Sequence, residues 1–264
     1  LTDSGLAQMF DAAQHAARVH GYQTVTVAGE QSPDEAEPWR GLLDGRTDGL
    51  VIATASLDPS PLDRLARSGV RFVLLNRSSG THPGVFVDDF LGSRLATEHL
   101  LRLGHRKIAH LSGPLDVSTG HQRLEGYRRA LAEAGITPDP LWVDGGPFGL
   151  ETWRAAARSI LLAPDRPTAL VAVNDTAAIT AMAVARELGI RVPDEFSVVG
   201  YNDSEIAGLL PIPLTSVRVP ILTMGETAVD LLLRVIAGEE VESMTLPPVL
   251  IERESTAPPS SPRP

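Results

Sequence analysis

One pattern recurs along the chain: a helix-like stretch closing on glycine, then a run of apolar and often β-branched residues. It appears as AARVHGYQTVTVAG (16–29), LARSGVRFVLLN (65–76), LLRLGHRKIAHLSG (100–113) and ARELGIRVPDEFSVVG (185–200), and more loosely as LAEAGITPDPLWVDGG (131–146). Glycine suits the left-handed position just past a helix, and αβ connections are short. The strand-like runs FVLL, IAHL, ALVAV and SVVGY are continuously apolar rather than alternating. Such strands belong in a parallel sheet covered by helices on both faces. The pattern therefore predicts an α/β chain, doubly wound. Helix starts are marked by Asp88-Asp89 before FLGSRLATEHLLRL and by Asp175-Thr176 before AAITAMAVARELG, as N-caps should be.

Two of the predicted strands end alike, 28 residues apart, in Asn174-Asp175 and Asn202-Asp203. TAAITAMAVARELGI between them reads as one helix closed by Gly189. Strand, helix, strand at this length is a right-handed parallel crossover, so both dipeptides emerge at one sheet edge. Ligands of open α/β sheets bind at the carboxyl ends of strands. The two asparagines are thus candidate ligand contacts, since an amide carries both donors and an acceptor for neighbouring hydroxyls. Asp175 is expected mainly to cap its helix, while Asp203 either caps SEIAGLL or faces the ligand.

Other candidates sit near helix starts and strand ends. Arg123 opens RLEGYRRAL, where a guanidinium facing a cleft would clamp hydroxyls or a carboxylate. Phe148, after Gly145-Gly146-Pro147, is either a stacking platform for a sugar ring or a packing residue; Trp153 reads as core. Asn76-Arg77 follows the strand FVLL at the equivalent edge of the first half.

The chain has 264 residues, 43% hydrophobic and 21% charged, and a net charge of −10 from 33 acidic against 23 basic residues. A DNA-gripping domain needs a concentrated basic surface. The densest basic stretches, RLGHRK (102–107) and RRAL (128–131), read as solvated helix ends, so no direct nucleic-acid binding is expected of this stretch. Cysteine is absent, which excludes disulfides and thiolate chemistry. No apolar run approaches a membrane span and no secretory signal opens the sequence, which predicts a cytoplasmic protein.

Enzyme motifs are missing: there is no G-x-x-x-x-G-K-[ST], G-x-S-x-G or G-x-G-x-x-G. LSGPLD (111–116) and DGGPFG (144–149) lack phosphate-loop spacing. His99, His105 and His110 do not have metal-site spacing, so no metal and no cofactor is expected. The tail from Thr256, TAPPSSPRP, reads as disordered. The sequence begins almost at once with a helix, LTDSGLAQMFDAAQHAARVHG, whereas a doubly wound lobe opens with a strand; either a strand precedes Leu1, the reading preferred here, or this lobe is unusual.

From Val70 to about Thr256 the chain resembles the effector-binding domain of the LacI/GalR family of bacterial transcriptional regulators. The segments that carry the resemblance are VDDFLGSRLATEHLLRLGHRKIAHLSGP, RLEGYRRALAEAGI, PTALVAVNDTAAITAMAVARELGIRVPDEFSVVGYNDSEIAGLLPIPLTSVRVP and MGETAVDLLLRVIAG. The resemblance implies two doubly wound lobes of the periplasmic-binding-protein type I, joined by three crossovers. They would comprise residues 1–87 plus 220–246 and 88–219 plus 247–257, with a tail over 258–264. It implies a small polar effector, a sugar or sugar-like molecule, bound between the lobes by Asn76, Arg123, Phe148, Asn174 and Asn202, with Asp203 a neighbouring candidate. The family often carries Asp where Asn202 stands, with Asn a frequent variant, and a polar residue where Val219-Pro220 follows TSVR.

The same resemblance implies a homodimer that reaches DNA only through a helix-turn-helix domain outside this sequence. Of the family's first strand and its ligand-contacting loop, only the Ser4–Leu6 end would be present. Met9, Phe10 and IAGLLPIP (206–213) are the expected dimer surface. The competing readings are a periplasmic sugar-binding protein of an ABC transporter, which shares the fold, and an enzyme built on it.

Overall fold

A computed structural model describes residues 4–27 and 47–260. The glycines that close the recurrent pattern, Gly21, Gly69, Gly104, Gly135 and Gly189, have φ of 80, 81, 98, 67 and 73°. Each ends a helix in the left-handed conformation that a side chain disfavours. The chain divides into two compact units, one of residues 1–87, 116–118 and 220–246, the other of residues 88–115, 119–219 and 247–264.

The first unit begins with α1 (Ser4–Val19), so Ser4–Leu6 forms its opening turn. β1 (Leu50–Ile52), α2 (Ser60–Arg67), β2 (Phe72–Leu75) and β3 (Gly84–Val87) follow, and α8 (Ile221–Ile236) and β9 (Met244–Leu246) complete it. Its sheet has the order β1-β2-β3-β9, parallel throughout. Leu62 and Leu65 of α2 pack on Leu50, Ile52, Phe72 and Leu74. Helices α1 and α8 meet through Ala13, Ala16 and Ala17 against Val229. Gly225 allows that approach, because a Cβ there would stand 2.6 Å from the Ala12 Cβ and 2.7 Å from the Met9 carbonyl. Met9 is consequently buried at 2% exposure and Phe10 half-buried. The expected use of Met9 as exposed surface does not hold, because its side of α1 packs inside the unit.

The second unit contains α3 (Asp89–Arg102), β4 (Ile108–Ser112), α4 (Ser118–Glu133, reaching in from the first unit's 116–118), β5 (Val143–Gly145) and α5 (Leu150–Leu161). It continues with β6 (Ala169–Ala172), α6 (Asp175–Glu187), β7 (Ser197–Asn202), α7 (Glu205–Leu209), β8 (Thr215–Arg218) and β10 (Val249–Ile251). The sheet order is β10-β8-β7-β6-β4-β5, parallel except for β10 against β8. From β4 the chain steps outward to β5 and then returns to the other side of β4. That reversal is a topological switch point, where the carboxyl edge opens a crevice. The central strands are buried along their whole length. Trp153, Ile160 and Phe196 fill the core around them.

Two expectations change here. Gln23–Val27, read as a strand, has no place in a ladder, and all its residues are exposed. A β-branched segment becomes a strand only where an adjacent edge can pair with it, and among the described residues none does. Residues 28–29 of the same repeat lie outside the described residues. The tail is also not free from Thr256 on. His99 Nε2 bonds Thr256 Oγ1 at 2.9 Å, and His105 Nε2 takes the Ala257 carbonyl at 2.9 Å. Proline and serine content marks a segment that does not form regular structure, and here side chains from α3 and its following loop hold that segment instead. Residues 261–264 lie outside the described residues. Among the described residues no helix is long and apolar enough to cross a membrane.

Candidate functional site

Three non-glycine residues among those described have positive φ, namely Asn76 at 70°, Asn202 at 103° and Asp203 at 53°. All three are candidates from the sequence, and each stands at or just beyond the carboxyl end of a parallel strand. Left-handed backbone at a non-glycine residue costs free energy and persists where the surroundings impose it, commonly at ligand sites. Asparagine is among the side chains that tolerate it best. Asn76 lies in the first unit, with its N–H donating to the Val85 carbonyl at 2.9 Å.

The other candidates gather at the carboxyl edge of the second unit's sheet. Arg123 sits in the second turn of α4, not at its opening, and is 6% exposed. Its Nε donates to Asp89 Oδ1 at 2.8 Å, its Nη1 donates to the Val173 carbonyl, and its guanidinium lies 3.7 Å over the Tyr201 ring. Burial pushes the Asp89 carboxyl up, opposed by Arg123. Burial, with Asp89 close by, also raises the Tyr201 phenol. The arginine is thus seated between a carboxylate, a carbonyl and an aromatic face at the end of β6. Phe148 stands near the same strand end, edge-on to Trp153 at 6.0 Å. A Cβ at Gly113 would meet both Val173 at 3.0 Å and the Phe148 ring at 3.2 Å, so the end of β4 closes against these two.

The two Asn-Asp pairs divide their work differently from the expectation. Asn174, not Asp175, is the N-cap of α6, its side chain accepting from the Ala177 N–H at 2.8 Å. Its extended backbone suits a cap, while Asp175 is already helical. The Asp175 carboxylate turns instead to the loop after β7. It accepts from the Ser204 N–H at 2.7 Å, the Ser204 hydroxyl at 2.8 Å and the Ser216 hydroxyl at 2.6 Å. Ser216 in turn accepts from the Asp203 N–H at 3.1 Å. Asp175 therefore fastens the left-handed turn that carries Asn202. Burial raises its carboxyl above the ordinary value, opposed by Ser216 and Ser204.

Asp203 caps no helix; α7 starts from Ser204. Its carboxylate, 3% exposed, pairs with Arg218 Nε at 2.7 Å and Arg253 Nη2 at 2.6 Å. The register places Asn202 opposite Arg218, which brings that arginine within reach. Asp89, Tyr201, Ser204, Ser216, Arg218 and Arg253 were not among the sequence candidates. Asp89 offered a signal, since the doubled Asp88-Asp89 needs only one cap. Asp88 supplies it, accepting from the Leu91 N–H at 2.8 Å.

His99, His105 and His110 are buried and occupied in packing. His105 bridges Thr168 and Ser197, and His99 bonds Thr256. His110 stacks on Tyr127 at 5.0 Å, and burial pulls its pKa down to about 3. Among the described residues no group of three or more His, Asp or Glu is arranged to hold a metal ion.

Parallel α/β units with polar, strained strand ends are the form of a periplasmic binding protein-like domain, and that family matches residues 97–256. The chain belongs, within it, to the LacI/GalR family of transcriptional regulators. It is 34% identical to the HTH-type transcriptional repressor PurR of Photobacterium profundum, over 82% of this chain and 66% of that protein. It is 37% identical to the HTH-type transcriptional regulator CelR of Thermobifida fusca, over 86% of this chain and 68% of that protein. The matched regions thus span about two thirds of these relatives.

Among solved structures, a LacI family transcriptional regulator from Mycobacterium smegmatis superposes with a TM-score of 0.89 at 33% identity, covering 98% of this chain and 96% of that one. A complex of the regulator CelR with cellobiose superposes with a TM-score of 0.88 at 35% identity, covering 96% and 79%. A dimeric Lac repressor gives 0.86 at 29% identity, covering 96% of this chain and 94% of that one. These relatives are regulators, which disfavours the transport-receptor reading.

Proposed function

We propose that this chain is the effector-sensing part of a transcriptional regulator and performs no chemistry on what it binds. A small polyhydroxylated molecule, a sugar or sugar-like effector, engages Asn76 of the first unit and Arg123, Phe148, Asn174 and Asn202 of the second. Asp203 contributes by holding the turn beside Asn202 through Arg218 and Arg253. The observation that carries this reading is the confinement of left-handed non-glycine backbone to Asn76, Asn202 and Asp203 among the described residues. The buried seat of Arg123 supports it, because a cation fixed by Asp89 and Tyr201 presents its charge without further ordering.

Effector binding favours one arrangement of the two units by its differential affinity for the alternatives. In a cytoplasmic homodimer that arrangement sets the spacing of helix-turn-helix domains outside this sequence, and so operator affinity. The complex of CelR with cellobiose makes cellobiose the first probe. A thermal-shift panel of cellobiose, other sugars, sugar phosphates and nucleosides should give one class that raises the melting temperature with concentration. Arg123→Ala and Asn174→Ala should each weaken that ligand about ten-fold or more, the worth of one charged or buried hydrogen bond. Wild-type affinity in both variants would refute the site, and recovery of an altered ligand after incubation would refute the non-enzymatic reading.

A further inference from the structure

Helix N-termini draw anions, and in an α/β unit they lie at the carboxyl edge of the sheet. By that rule the second unit would readily hold a phosphate or carboxylate where α3, α4 and α6 begin. Its own carboxylates stand there instead. Asp89 and Asp175 are the first residues of α3 and α6, and both are buried. Neither serves as the cap, because Asp88 and Asn174 do so.

Among the described residues of the second unit, Arg123 is the one buried arginine or lysine. Its Nε stands 2.8 Å from Asp89 Oδ1, its Nη1 donates to the Val173 carbonyl, and its guanidinium lies 3.7 Å from the Tyr201 ring centre. Burial works against the Asp89 charge and Arg123 works for it; an Nε–H donated at this distance is that of an ion pair. Gly92, three residues beyond Asp89, keeps the seat tight, since a Cβ there would come within 2.2 Å of the Tyr201 hydroxyl. The pair is therefore held in one geometry, and its two charges cancel. Asp203 in the same way faces Arg218 and Arg253. Each of these three arginines already has a carboxylate against it.

We infer that Asp89 sets the charge selectivity of the effector site: by balancing Arg123 it makes the site take neutral polyhydroxylated molecules and reject phosphorylated or carboxylated ones. The inference rests on the proposed effector site and narrows its ligand class. Asp89 acts through Arg123 and is a positioning residue. A neutral hydroxyl gains a directed donor from the pair at no cost in charge. An anion must shed water and then meet a buried carboxylate that the Arg123 seat holds in place. A charge placed against the wrong ligand is a recognised source of specificity. Without Asp89 the same helix starts and the same guanidinium would form an anion site.

Asp89→Asn keeps an oxygen for the Arg123 Nε and removes the balancing charge. The first arm uses inorganic sulfate and does not depend on which effector binds. Thermal unfolding in sulfate is compared with unfolding in chloride at equal ionic strength. Asp89→Asn should show a saturating stabilisation by sulfate beyond that of wild type, and Asp89→Asn/Arg123→Ala should lose it. Equal sulfate responses in wild type and Asp89→Asn would overturn the inference and leave the effector site standing. Asp88→Asn is the control, because asparagine caps as well as aspartate; it should respond to sulfate as wild type does. A response matching that of Asp89→Asn would overturn the inference, since net charge alone would then explain the effect. The second arm uses glucose, cellobiose, glucuronate and glucose 6-phosphate. Asp89→Asn should bind glucose 6-phosphate about ten-fold or more tightly than wild type does, the worth of one charged hydrogen bond. Wild type needs no variant to be informative: a larger thermal shift with either anion than with both neutral sugars would refute the assigned selectivity.

Discussion

Asn174-Asp175 and Asn202-Asp203 are the same dipeptide at adjacent strand ends, yet they do different physical work. After β6 the chain enters a helix of 13 residues, and Asn174 caps it in extended backbone. After β7 it turns sharply toward a helix of five, and both residues adopt positive φ. The first aspartate reaches across to bind the turn that the second pair makes, through Ser204 and Ser216. The second aspartate is itself neutralised by two arginines. One pair is support and the other is supported. A dipeptide at a strand end thus takes its role from the element that follows it and from partners far along the chain.

The largest test of that asymmetry is deletion of each carboxylate. Asp175→Ala strands buried donors on Ser204 and Ser216 and should cost about 3 kcal/mol or more in urea unfolding. Asp203→Ala should cost about 1–2 kcal/mol, since Arg218 is more than half exposed and can turn to water. Equal losses would break the comparison. The asparagines should differ in sign. Asn174→Ala loses a helix cap, about 1 kcal/mol, whereas Asn202→Gly relieves left-handed backbone and should leave stability unchanged or raise it by about 0.5 kcal/mol. Matching losses in thermal unfolding would show that Asn202 is not strained.

The smallest effect is one of pH. Burial raises the folded pKa of Asp175 above its unfolded value, so the folded state holds this proton more tightly. The cost of ionising it is complete above the raised value and is relieved as pH falls through it. Wild type should therefore gain stability relative to Asp175→Asn as pH is lowered from 7 toward 4. A gap that narrows instead would contradict the assigned burial.

Much of the fold was legible because its signals are local. Gly69, Gly104 and Gly189 each adopt the left-handed conformation that the pattern requires, and FVLL, ALVA and SVVGY are buried strands. Tyr22–Val27 was misread because propensity marks a residue that suits a sheet, while pairing depends on an edge being present. The site was legible in part for a similar reason. Asn76 and Asn202 could be placed at strand ends, but the roles of Asp175 and Arg123 depend on partners 29, 41 and 34 residues away. Asn and Asp cap helices about equally well, so nothing local distinguishes Asn174 from Asp175. Distant serines make that choice. Likewise Thr256 reads as tail by composition, and its bonds to His99 and Thr215 show that it is tied down.

The central claim is that the strained asparagines of both units hold one effector. It is tested most directly by calorimetry of the stabilising ligand from the panel against wild type, Asn76→Gly and Asn202→Gly, which remove the amides without straining the left-handed backbone. The account predicts that each variant folds with near wild-type stability and binds about ten-fold or more weakly, as loss of a buried hydrogen bond requires. Wild-type affinity in both variants would contradict it.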